Sequence, residues 1–222
     1  MYSDLLVLHP HQHLPDHYFL DCTILSPRNT EVHEINSTIL EALQLQDKVT
    51  YTSADSVTDG EYEYIQPAIL HTLSPSMFPL HKLELKNNSA PLMLLCNPDP
   101  IHGLYNGTRL RLIRSTSRIL ECYVLKKGGD GDVVFIPRTA LDSGLEDSLV
   151  PFHCLQFPVH LAYAMTINKS QGQSVRNVGI DLRSSVFSHC QLYVALSHYT
   201  HLRRIKVVFK EGQEYTKTTN VV

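Results

Sequence analysis

The chain has 222 residues, a formal net charge of −3 and 43% hydrophobic residues. That length and apolar content suit one ordinary globular domain, or one domain with a smaller one inserted, and exclude disorder throughout. A uniformly basic nucleic-acid-coating protein is also excluded, since phosphate neutralisation needs positive charge.

Charge distribution says more than its sum. Residues 1 to 80 carry two basic and eleven acidic side chains, residues 103 to 140 seven basic and three acidic, and residues 160 to 217 eight basic and three acidic. An acidic front with two basic segments is expected if only those segments approach a polyanion. No apolar run reaches the roughly 18 residues of a membrane span, and the start has neither a basic leader nor a small-residue cleavage site. The expectation is an intracellular protein with no membrane partner. The five cysteines have no CxxC spacing and read as reduced, buried small hydrophobes. His9, His11, His13 and His17 alternate with Pro10 and Pro15 and lack a partner at ligand spacing, so no metal site is expected.

In chain order, CTILS at residues 22–26 reads as a strand. Pro27 and Asn29 then punctuate it before a helix whose Val32, Ile35, Ile39, Leu40 and Leu43 share one face, capped by Asn29 or Thr30. KVTYTS reads as a strand, SADSVTDGEYEY as a polar loop, and Ala68 to Leu73 as a short helix ending at Pro75. From Leu83 to Arg138 the texture changes to closely spaced strands, LELK, PLMLLC, TRLRLIR, RILECYVL and VVFIPR, which suggests a small antiparallel barrel. After Phe152 the α/β texture returns: helix-like LAYAMTINKSQG, strand-like VRNVGIDL, helix-like FSHCQLYVALSH and strand-like RRIKVVFK. The first strand and helix cannot form a core alone and need the last sixty or so residues, so the simplest topology is an α/β domain interrupted by a barrel.

TINKSQG sets a hydroxyl (Thr166), an amide (Asn168) and an ammonium (Lys169) beside Gly172. Donors and positive charge suit a phosphate backbone, and glycine permits close approach. On the residues alone, a helix with a polar end and a glycine cap is the favoured reading. In QLYVALSH, Leu192, Val194, Ala195 and Leu196 read as mostly core. In TRLRLIR, Arg109 and Arg111 alternate with Leu110 and Leu112, the pattern of a strand with one charged, solvated face.

Three blocks, ILSPRNTEVHEIN (24–36), LELKNNSAPLMLLCNPDPIHGLYNGTRL (83–110) and FPVHLAYAMTINKSQGQS with VFSHCQLYVALSH (157–174 and 186–198), resemble the Pif-type (petite integration frequency) helicases of superfamily one. The version found in Helitron transposons is most similar, and the resemblance runs from about Tyr18 to Phe209. It implies an α/β RecA-like, P-loop-NTPase-type motor domain with a parallel sheet, interrupted by a small all-β barrel. The implied divisions are a connector at 1–17, a first part of the motor domain at 18–66, the barrel at 67–150, the remainder at 151–212 and a tail at 213–222.

By the same resemblance Thr166 and Lys169, with Asn168 beside them, grip single-stranded DNA. Gln171 and Gly172 face the nucleotide, with Arg28 on the same side, and Arg109 and Arg111 flank the DNA path. The family's γ-phosphate-sensing arginine falls at His198, which with Gln171 makes the catalytic pair, though one imidazole lacks the permanently charged fork. Arg203 and Arg204 follow five and six residues on. Cys96 stands where the family usually has arginine, and Cys190 where it usually has glycine. The complete helicase would use ATP and Mg²⁺, unwind DNA 5′ to 3′, and sit in the nucleus or mitochondrion of a eukaryote. This sequence contains no GxxxxGK[ST] loop and no apolar strand ending in Asp-Glu. The expectation is therefore no cofactor for this chain alone and a front RecA-like domain as its partner. A non-enzymatic single-strand-binding module and a decayed transposon fragment stand as alternatives.

Overall fold

The structure, a computed structural model, describes residues 16–43, 48–58, 62, 64–73, 78–88, 90–126, 131–143, 150–173, 175–197, 202–210, 212, 218 and 221. Most of the expected connector and tail, Pro75 and His198 lie outside them. In order, the elements are α1 (Asp16–Asp21), β1 (Cys22–Ser26), α2 (Asn29–Ala42), β2 (Val49–Thr52), β3 (Ala54–Val57), α3 (Pro67–Leu70), β4 (Lys82–Leu85), β5 (Pro91–Leu94), β6 (Arg109–Ser115) and β7 (Ile119–Val124). There follow β8 (Val133–Pro137), β9 (Thr139–Asp142), β10 (Phe152–Gln156), β11 (Val159–Leu161), β12 (Ala164–Thr166), β13 (Asn177–Leu182), α4 (Gln191–Ser197) and β14 (Ile205–Phe209).

The chain forms two compact units, one of residues 1–45, 125–129 and 161–222, the other of 46–124 and 130–160. Strand pairing fixes these limits wider than the expected barrel bounds of 67 and 150: β2 pairs with β4, and β3 with β10.

The first unit is α/β. Its sheet runs β12-β1-β13-β14, parallel at each junction. β1 has neighbours on both sides, which is why CTILS is a nearly continuous apolar run rather than an alternating one. α2 buries Val32, Asn36 and Leu40, at successive i, i+4 positions. Phe19, Cys22, Leu40, Leu43, Leu125 and Tyr163 form its apolar cluster. α2 is capped by Arg28 through its backbone, without the side-chain cap expected of Asn29 or Thr30.

Asn36 is a buried polar residue in this core. Its amide Nδ2 donates to the carbonyls of Leu161 and Ala164, both at 3.1 Å, while the Ala164 N–H donates to its Oδ1 at 2.8 Å. One side chain thus satisfies three backbone groups and fixes β12 against α2.

LAYAMTINKSQG is not the expected helix. Ala162, Tyr163, Ala164, Met165 and Ile167 are all buried, on more than one helical face, and Ala164 to Met165 pair with Ile24 and Leu25 of β1. A short apolar run carries no periodicity that separates strand from helix, and tertiary pairing decides.

The second unit is mostly β, with the short helix α3 and a 3₁₀ turn at Pro100–His102. β5, β6, β7 and β8 pair antiparallel within a five-stranded sheet that also contains β11. Beside it stand a three-stranded sheet β3-β10-β9 and a β2-β4 pair. The polar loop expected over SADSVTDGEYEY begins as β3. Its alternation puts Asp55 and Val57 on the half-buried face opposite Cys154 and Phe152. Buried Gln156 donates from Nε2 to the carbonyls of Tyr51 at 3.1 Å and His81 at 3.2 Å, joining strands as Asn36 does in the first unit. Gly103 closes the turn after Pro100–His102 with a left-handed φ of 85°.

Candidate nucleic-acid and nucleotide-facing site

In a parallel sheet both faces are covered, so the free backbone and polar groups collect where strands end, and ligands bind outside the carboxyl ends. In the first unit the pairing of Ser26 with Thr166, and of Leu25 with Ile180, brings the ends of β1, β12 and β13 to one edge. Arg28 follows β1, the Thr166–Gly172 segment follows β12, and Asp181 to Arg183 close β13.

Thr166 is the last residue of β12 and only 9% exposed. Its Oγ1 accepts from the Lys169 N–H at 3.3 Å, capping a 3₁₀ turn over Asn168–Ser170. The Ile167 N–H donates to the Ser26 carbonyl at 3.1 Å, and the buried Ser170 hydroxyl donates to the Ile167 carbonyl at 2.6 Å, so the turn is tied to the sheet. Asn168 and Gln171 are left exposed, with Lys169 half-buried between them. Burial pulls the Lys169 ammonium below its ordinary value. Lys169 in turn adds to the burial that lowers His33 on α2. A partly desolvated ammonium is one that an anion stabilises more than a fully hydrated one would be. Gly172 has φ of +79°, and a Cβ there would meet nothing within 4 Å. Glycine is needed for the backbone angle, and the space beside it is open.

Arg28 is exposed, with its guanidinium 5.4 Å from the Phe187 ring centroid. The loop beneath it is held by Gln191, which is 1% exposed: Nε2 donates to the Pro27 carbonyl at 3.3 Å, and Oε1 accepts from the Phe187 N–H at 3.1 Å. At the end of β13, Arg183 makes a two-pronged contact with buried Asp181, Nε to Oδ1 at 3.0 Å and Nη2 to Oδ2 at 2.6 Å. That pairing raises the Arg183 value further. Sequence reasoning missed Asn36, Gln191 and the Asp181–Arg183 pair. Only the polar end of the apolar run NVGIDLR pointed toward the last.

Within α4 the expected core is thinner than its sequence suggests. Ala195 is buried, Leu192 and Val194 are half-buried, and Leu196 is 39% exposed. The cysteines also divide: Cys22, Cys122 and Cys154 are buried, Cys96 is half-buried and Cys190 is exposed.

Arg109 and Arg111 belong to the second unit and do not form a solvated face. Arg109 is 7% exposed. Arg111 is half-buried, with its guanidinium 4.9 Å from the ring centroid of its cross-strand partner Tyr123, a cation–π contact.

The DNA helicase Pif1 2B-domain family matches residues 69–114. The ATP-dependent DNA helicase Pif1 of Campylobacter jejuni is 28% identical over 204 residues, covering 88% of this chain and 43% of that protein. The Xenopus laevis ATP-dependent DNA helicase PIF1 is 31% identical over 142 residues, 64% of this chain and 22% of that protein. Among solved structures, the Pif1 helicase of Candida albicans superposes with a TM-score of 0.66 at 25% identity, over 92% of this chain and 48% of that one. A Bacteroides Pif1 helicase in complex with ADP-AlF3 and single-stranded DNA gives 0.62 at 24%, over 92% and 44%.

Over most of its length the chain is similar to Pif1-type helicases. It corresponds to a C-terminal part of them, and spans less than half the length of these relatives. The parallel-sheet unit is the RecA-like part of a Pif1-type fold, and residues 69–114 of the second unit carry the 2B-domain match. No helix among the described residues is long and apolar enough to cross a membrane.

Proposed function

We propose that this chain is the rear motor segment of an ATP-driven DNA helicase that translocates 5′ to 3′ on single-stranded DNA and unwinds duplex. The observation that carries this reading is the shared strand-end edge, where a glycine-terminated polar turn, an exposed arginine and a half-buried lysine lie at the ends of adjacent parallel strands. In it, Lys169 and the Asn168 amide hold the DNA backbone, and Thr166 sets the turn that presents them. Gln171, Gly172 and Arg28 form one wall of a nucleotide site whose other wall belongs to a front RecA-like domain.

These residues fit the phosphate side of ATP in their donors and charge, and Gly172 leaves room for close approach. When bound, ATP with Mg²⁺ supplies the hydrolysis that drives the motor. The residues of this chain orient phosphates and hold DNA. Because Asp181 is already committed to Arg183, we assign no Mg²⁺ ligand here.

The decisive experiment measures single-stranded DNA binding by fluorescence anisotropy across salt concentration. Binding should be weak and alike for all sequences. Lys169→Ala should weaken it and reduce the salt slope by about 0.7. Unchanged binding in Lys169→Ala would overturn the DNA path. The chain alone should release no phosphate from ATP, because it lacks the loop lysine and magnesium ligands of an ATPase; turnover that drops in Gly172 or Gln171 variants would contradict this. The same reading puts His198 at the arginine-finger position. Joined to a front domain from a working relative, His198→Arg should hydrolyse ATP faster at pH 8, by a factor of up to roughly 10³ to 10⁵. The gap should narrow at pH 6, where an adjacent triphosphate favours imidazolium. Equal rates at both pH values would move the role to another group.

A further inference from the structure

Within the second unit, three chain segments distant in sequence bring one carboxylate and two imidazoles together. Asp55 comes from β3, His71 from the turn after α3, and His81 from the approach to β4. One ligand atom from each lies within 4.8 Å of the other two. His71 Nε2 is 3.7 Å and His81 Nδ1 3.6 Å from Asp55 Oδ2, and the two rings stack with centroids 3.6 Å apart.

Two features set this apart from an ordinary surface pair. The Asp55 side chain is only 3% exposed, and its Oδ1 is buried with no hydrogen-bond partner. The Ser53 hydroxyl donates to Oδ2 at 2.7 Å, and both imidazole nitrogens stand beyond hydrogen-bond length from that oxygen. A buried carboxylate without full compensation is costly. Ligands bonded to zinc at about 2.0–2.1 Å with tetrahedral angles are roughly 3.3 Å apart, so the two Asp–His spacings need only a few tenths of an ångström of closure, while the stacked rings must rotate apart so that each nitrogen lone pair meets the cation in its own ring plane.

We propose that Asp55, His71 and His81 form a zinc-class divalent-cation site in the insert, separate from the DNA- and nucleotide-facing edge. Two imidazoles with one carboxylate favour zinc over the oxygen-seeking magnesium and calcium. The carboxylate balances part of the charge, and Ser53 keeps its bond to Asp55 as the outer support that fixes the carboxylate's orientation. His81 Nδ1, now 2.7 Å from the Ser53 hydroxyl, turns to the cation instead. Cys154, directly opposite Asp55 in the β3–β10 pair, borders the site. Burial first, and then the Asp55 carboxylate, push its thiol up to about 12. The site ties β3 to the segment between α3 and β4, so the cation stabilises the insert.

The test uses the full chain stripped with a chelator, titrated with ZnCl2 by calorimetry and with Co²⁺ as a visible-absorption probe. The expected result is one equivalent bound, tetrahedral cobalt bands, and a rise in the melting temperature with Zn²⁺. Asp55→Asn and His71→Gln should each lower affinity by roughly 100-fold or more. His71 is about one third exposed, so His71→Gln keeps the fold, checked by far-ultraviolet dichroism. A triple His9→Gln, His11→Gln, His13→Gln variant should bind as the parent does. The proposal is overturned by the absence of saturable binding. It is equally overturned if one equivalent persists in both Asp55→Asn and His71→Gln, or is lost in the triple variant.

Discussion

The two units use buried polar side chains in the same way and expose polar groups in different ones. Asn36 and Gln156 each satisfy backbone groups far away in sequence, at separations of 125 or more and up to 105 residues respectively. In the parallel unit, faces are closed and chemistry gathers at strand ends. Lys169, Gln171, Gly172, Arg28 and Arg183 therefore share one edge though drawn from three segments. In the antiparallel unit, strands alternate, and two of the three arginines of β6 are folded into the structure, Arg111 against Tyr123 and Arg109 almost wholly buried, while Arg114 stays exposed beside Glu121. The basic residues of the parallel unit's edge are thus presented from loops at strand ends, whereas Arg109 and Arg111, within a strand, are consumed.

The sharpest way to break this comparison is to remove the buried amides. Asn36→Leu leaves two carbonyls and one N–H of the β11–β12 region without their partner, at about 2–4 kcal/mol. Hydrogen exchange should accelerate over residues 161–182 and stay unchanged over 91–137, with single-stranded DNA binding reduced because Thr166 loses its anchor. Gln156→Leu should produce the reverse pattern. Equal acceleration in both regions for either variant would mean that the units unfold as one.

A smaller effect sharpens the view of the strand-end edge. His33 is lowered from its ordinary 6.5 by burial and then by Lys169. The folded state therefore binds fewer protons than the unfolded one. Stability is complete above pH 6.5 and is lost as pH falls from there toward the folded value. His33→Gln should flatten that acid-side loss in denaturant titrations at pH 5.5 and 7.5. DNA bound beside Lys169 should raise the His33 value, followed by its imidazole proton resonances. A His33 titration unmoved by DNA would separate α2 from the binding edge.

Much of the fold was readable because apolar runs and the α2 stripe report burial directly. β1, β13, β14 and the strands from β4 to β8 all coincide with expected segments. The misses share one cause: β3, β12 and the burial of Arg109 depend on which strand lies alongside, and pairing partners such as Asp55 and Cys154 are about a hundred residues apart. The site divides likewise. Thr166 to Gly172 is contiguous, so its chemistry could be seen in a line of sequence. Asn36, Gln191 and Asp181 look like ordinary polar residues until the sheet brings their partners to them. Asp55, His71 and His81 have no ligand spacing at all, so nothing in the line of sequence sets them together.

The smallest expected effect concerns two left-handed positions that flank the same edge. Gly172 has φ of +79° and carries glycine, whereas Cys190 has φ of +58° with a side chain. A Cβ in this region crowds the following carbonyl and costs about 1–2 kcal/mol, which glycine avoids. Cys190 immediately precedes α4, and its carbonyl accepts from the Val194 N–H at 2.9 Å, so the backbone there is fixed by the helix and cannot relax. The Pif-type pattern that this chain resembles usually has glycine at this place, where the backbone angle favours it. Cys190→Gly should therefore stabilise the protein, by about 0.5–1 kcal/mol after the greater freedom of glycine in the unfolded chain is subtracted. Gly172→Ala should destabilise by about 1 kcal/mol through its angle alone, since its Cβ would touch nothing. Paired denaturant titrations under reducing conditions read both signs. If Cys190→Gly destabilises, the exposed thiol, 2.8 Å from His189 Nδ1, contributes more than the strain it imposes.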